Sequence, residues 1–462
     1  MGSHTPAADQ QQLHLVIIGG GIAGLSAAIA TTLAGHRCTV LEKAPDFAEV
    51  GAGLQLTPNG TRLLAAWGVL DHIAPAAIAD PQTLTVRRFD GARVLACEAQ
   101  WAADMQQRYG APFWDVHRAD LQAAMLARAR ELGVCIRSGA EVTGIDFARA
   151  VVTVIATATV AGGGAPGARE DEAREEEEEE KEEQVCGDVV LAADGLWSRA
   201  RALFLLQESS DHPVTPLPTG DIAYRIVLKR EDLAGDTELE ELVGRPQVNF
   251  WVGAGAHVVG YSLRAGNEFN LVLLCPDDLP PGCSRAPANM DEMKARFRGW
   301  DPILTRFLDR VKAVEKWRLM HFSSLKRWND GGGRFTMAGD ACHPMLPYLA
   351  QGANSAIEDG GVLGRLLGSA KTRADVPLVL ELYQALRKAR VEEIAKQALK
   401  QRFFFHLPDG PWQVDRDRVL TGEQSLRGES PSRWSCPIVQ PWLYGYDAIA
   451  EADEAVRGTR LA

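Results

Sequence analysis

The sequence predicts an α/β fold: a Rossmann-like domain, a second domain built on antiparallel β-sheet, and a helical C-terminal region. Three observations lead to this prediction. An apolar strand, a glycine turn, a helix and a second strand follow one another over residues 13–41. Short strand-like runs dominate residues 216–274, and helical periodicity returns from residue 290. With 462 residues, the chain is long enough to bury two or three cores.

The first group of elements is a βαβ unit. Residues 13–18 are apolar, as in a buried parallel strand, residues 25–33 are helical, and residues 38–41 form the next strand. Such a unit implies a parallel pair joined by a right-handed crossover. The uncharged run 15–34 is nominally long enough to span a bilayer, but three consecutive glycines interrupt it. We therefore expect a strand, a turn and a helix there, and no membrane span.

The turn of this unit carries a dinucleotide-binding fingerprint. Gly19, Gly21 and Gly24 fit the pattern G-x-G-x-x-G. The pattern needs glycine for the tight turn, for backbone approach to a pyrophosphate, and for packing of the helix on the strand. Glu42, at the end of the second strand, is placed to accept hydrogen bonds from an adenosine ribose. The fingerprint alone does not distinguish FAD from NAD.

An acidic insertion separates two later strands. Residues 151–160 and 186–192 are predicted as strands, and residues 162–184 between them are rich in glycine and then in glutamate. Residues 170–183 alone carry nine of the twelve net negative charges. Because like charges repel and little of this segment can enter a core, we predict a disordered, solvated loop. An acidic partner-binding segment is the alternative.

The remaining elements build the second domain and the C-terminal half. The strands predicted for an antiparallel sheet are 222–228, 247–252, 257–263 and 269–274. One further strand and four helical segments are predicted at 335–338 and at 118–132, 290–311, 354–368 and 377–405.

Two further turns decide between the cofactors. One contains Asp194 and Gly195, and the other contains Asp340. Each is predicted to follow an apolar strand and to precede a helix. Such an Asp can accept a hydrogen bond from a ribityl hydroxyl, and a helix that starts near Gly352 directs its N-terminal dipole at the negative charge of a reduced flavin. These features favour FAD.

With these motifs, the chain resembles the single-component (group A) flavin monooxygenases with the p-hydroxybenzoate hydroxylase fold. It is most similar to their salicylate hydroxylase-like branch, which includes fungal biosynthetic flavin monooxygenases. The resemblance extends over residues 13–405 and also rests on the segments VGAGLQLTPN (50–59) and HRADL (117–121). We accordingly divide the chain into an FAD-binding domain, first part (13–215), an antiparallel-sheet substrate domain (216–289), a second part of the FAD-binding domain with helices (290–405), and a C-terminal extension (406–462).

The resemblance implies FAD, bound tightly but non-covalently, and NAD(P)H as co-substrate. The family has no separate NAD(P)H domain, which agrees with the single fingerprint. The cofactor-binding residues that the resemblance implies, beside the fingerprint glycines, are Asp340 at the ribityl chain, Gly352 and Ala353 against the isoalloxazine, Arg118 at the pyrophosphate, Glu42 at the adenosine ribose, Gly53, and Asp194 and Gly195 in a segment that contacts both cofactors.

Arg225 and Tyr261 are the candidate catalytic residues. Both are predicted on strands of the second domain, and by local motif they match the arginine and tyrosine that position and activate a phenolate in dearomatising relatives. A structural salt bridge is the alternative for Arg225, and core packing is the alternative for Tyr261. His343 is expected to fix its loop rather than to act in acid–base chemistry. The sequence assigns no role to His257.

The reaction implied by the resemblance is an aromatic hydroxylation. NAD(P)H reduces FAD, O₂ forms the flavin C4a-hydroperoxide, and the substrate takes one oxygen atom. A phenolic, salicylate-like acid, hydroxylated with loss of its carboxylate, is the first expectation. Oxygenation of a larger fungal-type metabolite (a dearomatised phenol, an indole alkaloid or a terpenoid) is the alternative. An FAD-dependent dehydrogenase and a non-catalytic FAD-binding protein are the alternatives from other classes.

The amino-acid composition limits the kinds of molecule that the protein is expected to bind. Outside the acidic segment the net charge is about −3, so no basic surface for nucleic acid is expected. Eight scattered cysteines without a C-x-x-C pair predict neither a metal site nor a disulfide scaffold, and favour a cytosolic protein. The expected partners are a small aromatic substrate, O₂ and NAD(P)H. Trp442, Tyr444 and Tyr446 leave open a cap over the substrate entrance or a homodimer contact.

Overall fold

The computed structural model describes residues 11–47, 52–157, 180–426 and 428–461. One half is organised around a five-stranded parallel sheet. Its first strand pairs in parallel with the strands on both sides, which confirms the predicted βαβ unit. The central strands are buried because helices cover the sheet. In spatial order the strands are Phe335–Met337, Val189–Ala192, His14–Ile18, Arg37–Leu41 and Cys135–Arg137.

The other half is organised around an eight-stranded sheet. Neighbouring strands are antiparallel, except that Gln247–Gly253 and Thr83–Arg88 run parallel. The sheet is therefore mixed at this point, although the predicted α/β fold class is confirmed. In spatial order the strands are Arg285–Pro287, Glu315–His321, Leu217–Lys229, Glu268–Pro276, Ala256–Leu263, Gln247–Gly253, Thr83–Arg88 and Val94–Ala99.

The eight-stranded sheet crosses the predicted domain boundaries. Its strands Thr83–Arg88 and Val94–Ala99 lie within the region 13–215 that we assigned to the FAD-binding domain. The strand Glu315–His321 lies beyond residue 289, where we ended the substrate domain. Strand pairing joins segments that are far apart in sequence. The local change in sequence pattern therefore identifies only the strands in the middle of this sheet.

Two three-stranded sheets complete the β structure. One consists of Glu180–Cys186, Val151–Thr157 and Ala140–Asp146, and the other of Gly53–Leu56, Trp114–His117 and Ile78–Ala79.

The predicted acidic loop 162–184 lies mostly outside the described residues. Residues 180–184, however, belong to the strand Glu180–Cys186, which pairs with Val151–Thr157. The expectation of disorder is therefore wrong for these five residues. Their strand is at the edge of its sheet, and Glu182 on it is exposed to solvent.

The predicted strand 186–192 is divided in two at Gly187. Cys186 ends the edge strand, and Val189–Ala192 enters the parallel sheet. A Cβ on Gly187 would lie 2.7 Å from Cγ2 of Val16, so glycine is required where the chain crosses the first strand. The strand is divided where Gly187 comes close to Val16, 171 positions earlier in the chain, and local periodicity does not indicate such a contact.

Helices cover the parallel sheet and form the C-terminal region. None of the helices in the described part of the chain is long and apolar enough to cross a membrane. Their bounds are Ile22–Leu33, Pro58–Ala66, Trp101–Tyr109, Arg118–Glu131, Arg199–Gln207, Thr237–Gly244, Met290–Arg296, Pro302–Arg310, Gln351–Leu367, Val376–Phe405, Pro411–Leu420, Val439–Tyr444 and Ala448–Val456.

Two of these helices pack unusually closely and thereby position the site. A Cβ on Gly360 would lie 2.6 Å from Cβ of Ser26, and a Cβ on Gly364 would lie 2.6 Å from Cβ of Ala30. Gly360 and Gly364 are four residues apart and therefore share one face of the helix Gln351–Leu367. Their lack of side chains lets this helix lie directly against the fingerprint helix.

Candidate functional site

A cavity of about 270 Å³ lies between the fingerprint turn, the start of the helix Gln351–Leu367 and the eight-stranded sheet. Four of the thirteen predicted site residues are not part of its wall: Gly19, Gly24, Glu42 and Asp194. The other nine line it: Gly21, Gly53, Arg118, Gly195, Arg225, Tyr261, Asp340, Gly352 and Ala353.

The three fingerprint glycines have different surroundings. Gly19 has φ +103°, and a Cβ on it would lie 2.5 Å from the carbonyl oxygen of Ala193. A Cβ on Gly24 would lie 2.0 Å from the carbonyl oxygen of Gly19, so a side chain there would push the helix off the strand. A Cβ on Gly21 would meet no atom of the described residues within 4 Å. Gly19 and Gly24 therefore build the turn, whereas Gly21 presents open backbone to the cavity.

Glu42 is anchored to the fingerprint turn by hydrogen bonds. Its Oε2 accepts a hydrogen bond from the N–H of Gly20 at 2.7 Å, and its Oε1 accepts one from the N–H of Ala44 at 2.9 Å. Each carboxylate oxygen has two lone pairs, so both can accept a further hydrogen bond. The anchoring fixes the carboxylate beside the turn and leaves it able to bind a hydroxyl group.

Asp194 caps the helix that follows it. Its Oδ1 accepts a hydrogen bond from the hydroxyl of Ser198 at 2.5 Å, and its Oδ2 accepts one from the N–H of Ala200 at 3.0 Å. Gly195, with φ +77°, is the residue of this turn that reaches the cavity. The Asp194 carboxylate is therefore engaged in holding its own turn.

Asp340 follows the strand Phe335–Met337 and faces the cavity. Its side chain is exposed to the cavity, although protein atoms crowd around it. Desolvation by these atoms raises the pKa of the Asp340 carboxyl against the opposing charges of His343, Arg118 and Arg225. Among the described residues no N–H or hydroxyl donates a hydrogen bond to it. Asp340 therefore offers an acceptor to a ligand.

Asp359, on the neighbouring helix, is fully paired. It accepts hydrogen bonds from the N–H of Gly339 at 2.8 Å, from Nε2 of His343 at 2.5 Å and from Nε of Arg387 at 2.8 Å. Burial alone would raise the pKa of Asp359, but His343 and Arg387 lower it to about 2. The contact agrees with the expected loop-fixing role of His343.

The helix Gln351–Leu367 begins at the cavity with an unusual cap. Ala350 has φ +52°, and Nδ2 of Asn354 donates a hydrogen bond to its carbonyl oxygen at 2.7 Å. A Cβ on Gly352 would meet no described atom within 4 Å. The first N–H groups of the helix, which have no partner within it, therefore lie at open space.

The eight-stranded sheet presents alternate residues of its central strands to the cavity. Three rows run across the strands. The middle row is Arg225, Val272, Val259 and Phe250; the row on one side contains Asn270 and Tyr261, and the row on the other contains Leu274 and His257.

Arg225 is the cation of this otherwise largely apolar floor. Its guanidinium lies 5.8 Å from the ring centre of Trp317. No carboxylate of the described residues is within 4 Å of it, so the salt-bridge alternative is not observed. Burial within the protein lowers the pKa of Arg225, and the nearby charge of Arg118 lowers it further. A cation that faces the cavity and is paired with no carboxylate of the described residues favours an anionic ligand.

Tyr261 lies on the floor two strands and one row from Arg225, on the side opposite to His257, and packs against Gly53. A Cβ on Gly53 would lie 2.7 Å from the Tyr261 hydroxyl, so glycine makes room for the ring. The N–H of Gly53 donates a hydrogen bond to Oδ1 of Asn270 at 3.0 Å. Burial raises the pKa of Tyr261, as does Asp115, while Arg225 opposes the rise. The side chain therefore remains a neutral phenol that both fills the core and lines the cavity.

Known proteins resemble this chain over nearly its whole length. Residues 12–398 match the family described as "FAD binding domain". An FAD-dependent monooxygenase of Beauveria bassiana (strain ARSEF 2860), OpS4, is 60% identical over 452 residues, which cover 98% of this chain and 99% of that protein. The chain belongs to the FAD-dependent monooxygenases.

Two further likenesses connect this FAD-dependent monooxygenase with aromatic hydroxylases. The 3-amino-4-hydroxybenzoate 2-monooxygenase PtnB3 of Streptomyces platensis is 34% identical over 441 residues, covering 94% of this chain and 96% of that one. A salicylate hydroxylase solved as a substrate complex has a TM-score of 0.73 at 22% identity, covering 97% of this chain and 99% of that chain. At this identity the second likeness shows the fold, the p-hydroxybenzoate hydroxylase type.

The cavity fits the cofactor of an FAD-dependent monooxygenase. The open backbone at Gly21 suits a pyrophosphate, the unbonded carboxylate of Asp340 suits a ribityl hydroxyl, and the helix start at Gly352 suits the electron-rich end of a flavin. No group of three or more His, Cys, Asp or Glu residues that would hold a metal occurs in the described part of the chain.

Sequence reasoning missed a cluster of polar residues at one end of the monooxygenase cavity. His257 and Tyr348 both line the wall. Nδ1 of His257 contacts Nε2 of His406 at 2.6 Å, and the Tyr348 hydroxyl donates to Asp221. Asp221 also binds Arg402. The contacting residues are separated by more than one hundred positions, so no local motif joins them.

Proposed function

We propose that this monooxygenase uses NAD(P)H and O₂ to hydroxylate a phenolic aromatic acid of the salicylate class. The observation that carries the proposal is Arg225, a cation that no carboxylate of the described residues pairs with within 4 Å, in a floor of Val259, Val272 and Phe250. A flat apolar floor accommodates an aromatic ring, and a guanidinium binds a carboxylate or phenolate at its edge.

Separate residues would bind the cofactor and the substrate. Bound FAD supplies the redox chemistry, taking electrons from NAD(P)H and activating O₂. Asp340 and the first turn at Gly352 would hold that cofactor. Arg225 binds the acidic group of the substrate and stabilises a ring oxygen in its anionic form. Tyr261, as a neutral phenol, donates a hydrogen bond to the same group. The enclosing walls exclude water from the reacting atoms.

The relatives support a small aromatic substrate over the larger fungal-type metabolites that we considered as the alternative. Val259, Val272 and Phe250 add an apolar surface for such a ring beside Arg225. The names of two related proteins, a 3-amino-4-hydroxybenzoate 2-monooxygenase and a salicylate hydroxylase, refer to monocyclic aromatic acids.

Arg225→Ala tests the proposal. The variant should retain FAD, because Arg225 lies on the eight-stranded sheet and not in the fingerprint turn, but kcat/KM for product formation should fall about a hundredfold, as expected when an ion pair between enzyme and substrate loses one partner. NAD(P)H oxidation, O₂ uptake and hydrogen peroxide are followed with and without salicylate. Arg285→Ala is the matched control, because Arg285 pairs with Glu315 at the edge of the same sheet. A normal yield of hydroxylated product from Arg225→Ala would refute the assignment.

A further inference from the structure

His257 is a polar side chain in the floor of the cavity, diagonally across from Arg225. Arg225 pairs with Val272 on the adjacent strand, whereas His257 pairs with Leu274 from the other side. The two residues are therefore two strands apart and one row apart. Strand spacing and rise place their Cα atoms about 12 Å apart. An aromatic ring that lies on the apolar residues between Arg225 and His257 has one edge toward Arg225 and the opposite edge toward His257.

His257 is held by a second histidine behind it. Its Nδ1 lies 2.6 Å from Nε2 of His406, and both rings are buried. Burial lowers the pKa of His257 well below its ordinary value, and His406 and Arg402 lower it further. Burial and Arg402 likewise lower the pKa of His406, to about 4. Both imidazoles are therefore neutral at physiological pH, and a single proton lies between them.

The surroundings of His406 determine which nitrogen carries that proton. Its Nδ1 is buried and has no hydrogen-bond partner among the described residues. A buried N–H without a partner is rarer in proteins than a buried acceptor without one. Nδ1 of His406 is therefore the bare nitrogen, and its Nε2–H donates to Nδ1 of His257. This tautomer leaves Nε2 of His257 protonated, as a neutral hydrogen-bond donor.

The polar neighbours of His257 and His406 do not accept a hydrogen bond from Nε2–H of His257. The Tyr348 hydroxyl donates to Asp221, and Arg402 binds the same carboxylate. The described residues provide no acceptor for Nε2 of His257, whose ring lies in the cavity wall. The donor is thus available to a bound molecule.

We propose that His257, fixed by His406, donates a hydrogen bond to a second oxygen substituent of the substrate ring, on the side remote from the acidic group bound by Arg225. The substrate class is then a benzoate with a hydroxyl across the ring from its carboxylate. This proposal rests on the proposed function, because it assumes an aromatic acid on the floor of the cavity. His257 would contact the substrate directly, and His406 is a positioning residue.

The test compares two acids that differ only in that remote hydroxyl. Salicylate and 2,4-dihydroxybenzoate are titrated into the FAD holoenzyme, and binding is followed by the change in visible flavin absorbance. We expect the wild type to bind 2,4-dihydroxybenzoate about fivefold more tightly, the effect of one neutral hydrogen bond. His257→Phe should bring the ratio of dissociation constants close to one. His257→Gln, which restores an N–H donor, should recover part of the preference.

Two further variants separate positioning from folding. His406→Leu should also reduce the ratio, although His406 is not part of the cavity wall. His321→Gln, on the same sheet but outside the wall, should leave the ratio unchanged. A merely structural role of His257 would weaken both acids equally and leave the ratio intact.

The outcomes distinguish the two proposals. A wild-type ratio near one, or a preference that survives in His257→Phe, overturns the role of His257 while the aromatic-acid function stands. If neither acid changes the flavin spectrum nor stimulates NAD(P)H oxidation in the wild type, the proposed function fails and the role of His257 fails with it.

Discussion

Asp340 and Asp359 lie on the two sides of one turn and have opposite surroundings. Asp359 is buried and accepts three hydrogen bonds, and its pKa is lowered to about 2. Asp340 faces the cavity, has no donor among the described residues, and its pKa is raised. The first carboxylate is satisfied by the protein, whereas the second remains available to the cofactor.

The same division separates other pairs of residues in the molecule. Arg387 is buried between Glu358 and Asp359, whereas Arg225 faces the cavity and forms no ion pair with another described residue. Buried residues that are paired within the protein, such as Asp359 and Arg387, should determine the stability of the apoprotein. Residues that face the cavity, such as Asp340 and Arg225, should determine the affinity for cofactor and substrate and the turnover rate. The predictions below test this separation.

The largest effect is expected from Arg387→Met. This change leaves Glu358 and Asp359 buried without their shared cation, and it should lower the free energy of unfolding by about 3–5 kcal/mol. Urea unfolding of the apoprotein measures it. Arg245→Ala, which breaks an exposed pair with Glu241, is the control and should cost about 1 kcal/mol or less. Equal losses in both variants would show that the buried cluster is not structural.

The second effect is a difference between Asp359 and Asp340 in how each makes the free energy of unfolding depend on pH. Because the folded-state pKa of Asp359 lies below its ordinary value of 3.8, its contribution is present above about pH 4 and is lost as the pH falls toward 2. The full contribution is about 2–3 kcal/mol. Asp340 has the opposite sign: its raised pKa favours the folded state when the group is protonated, and stability falls as the pH rises past the ordinary value.

Unfolding free energies of the apoproteins across this range check both signs. Asp359→Asn should be less stable than the wild type at neutral pH, with a difference that narrows in acid. Asp340→Asn should be at least as stable as the wild type at neutral pH. A stability loss in Asp340→Asn that equals the loss in Asp359→Asn would remove the distinction between the two carboxylates.

The third effect compares two glycines of the fingerprint. Gly24→Ala should destabilise the apoprotein by about 1–3 kcal/mol or more, because its Cβ would meet the Gly19 carbonyl oxygen at 2.0 Å. Gly21→Ala should leave the apoprotein stable, since no described atom lies within 4 Å of the added Cβ, and should weaken FAD binding. Thermal unfolding with and without FAD measures both. A destabilised Gly21→Ala apoprotein would contradict the assignment of Gly21 to the ligand.

The smallest effect is expected from Asp340→Ala. Loss of one charge-assisted hydrogen bond should raise the dissociation constant for FAD about tenfold. The unfolding free energy of the apoprotein should not fall. Fluorescence titration of free FAD into the apoprotein gives the constant, and unchanged FAD affinity would exclude Asp340 as a cofactor ligand.

The parts of the site that could be predicted from sequence are those encoded locally. Gly19, Gly21 and Gly24 act within one turn, so their spacing alone determines their roles. Asp340 was predicted from its position between a strand and a helix, and it lines the cavity. Asp194 shared that pattern, but its carboxylate caps its own helix, because Ser198 and Ala200 follow within reach.

The parts that sequence did not indicate depend on contacts between distant segments. His257 and His406 are 149 residues apart and meet only because the long helix Val376–Phe405 ends against the eight-stranded sheet. The strand Thr83–Arg88 joins that sheet through Gln247–Gly253, for which no local pattern exists. Burial of Arg387 between two carboxylates likewise follows from helix packing and not from spacing.

One measurement tests the central claim most directly, that this flavoprotein inserts oxygen into an aromatic acid held by Arg225. The FAD holoenzyme is incubated with NAD(P)H, isotopically labelled O₂ and a panel of hydroxybenzoates, and the products are analysed by mass spectrometry. We predict one labelled oxygen atom in the product, NAD(P)H consumption matched by product, and little hydrogen peroxide. A reduced flavin that is stable in O₂ and passes its electrons to an artificial carrier, with no labelled product, would contradict the account and indicate a dehydrogenase.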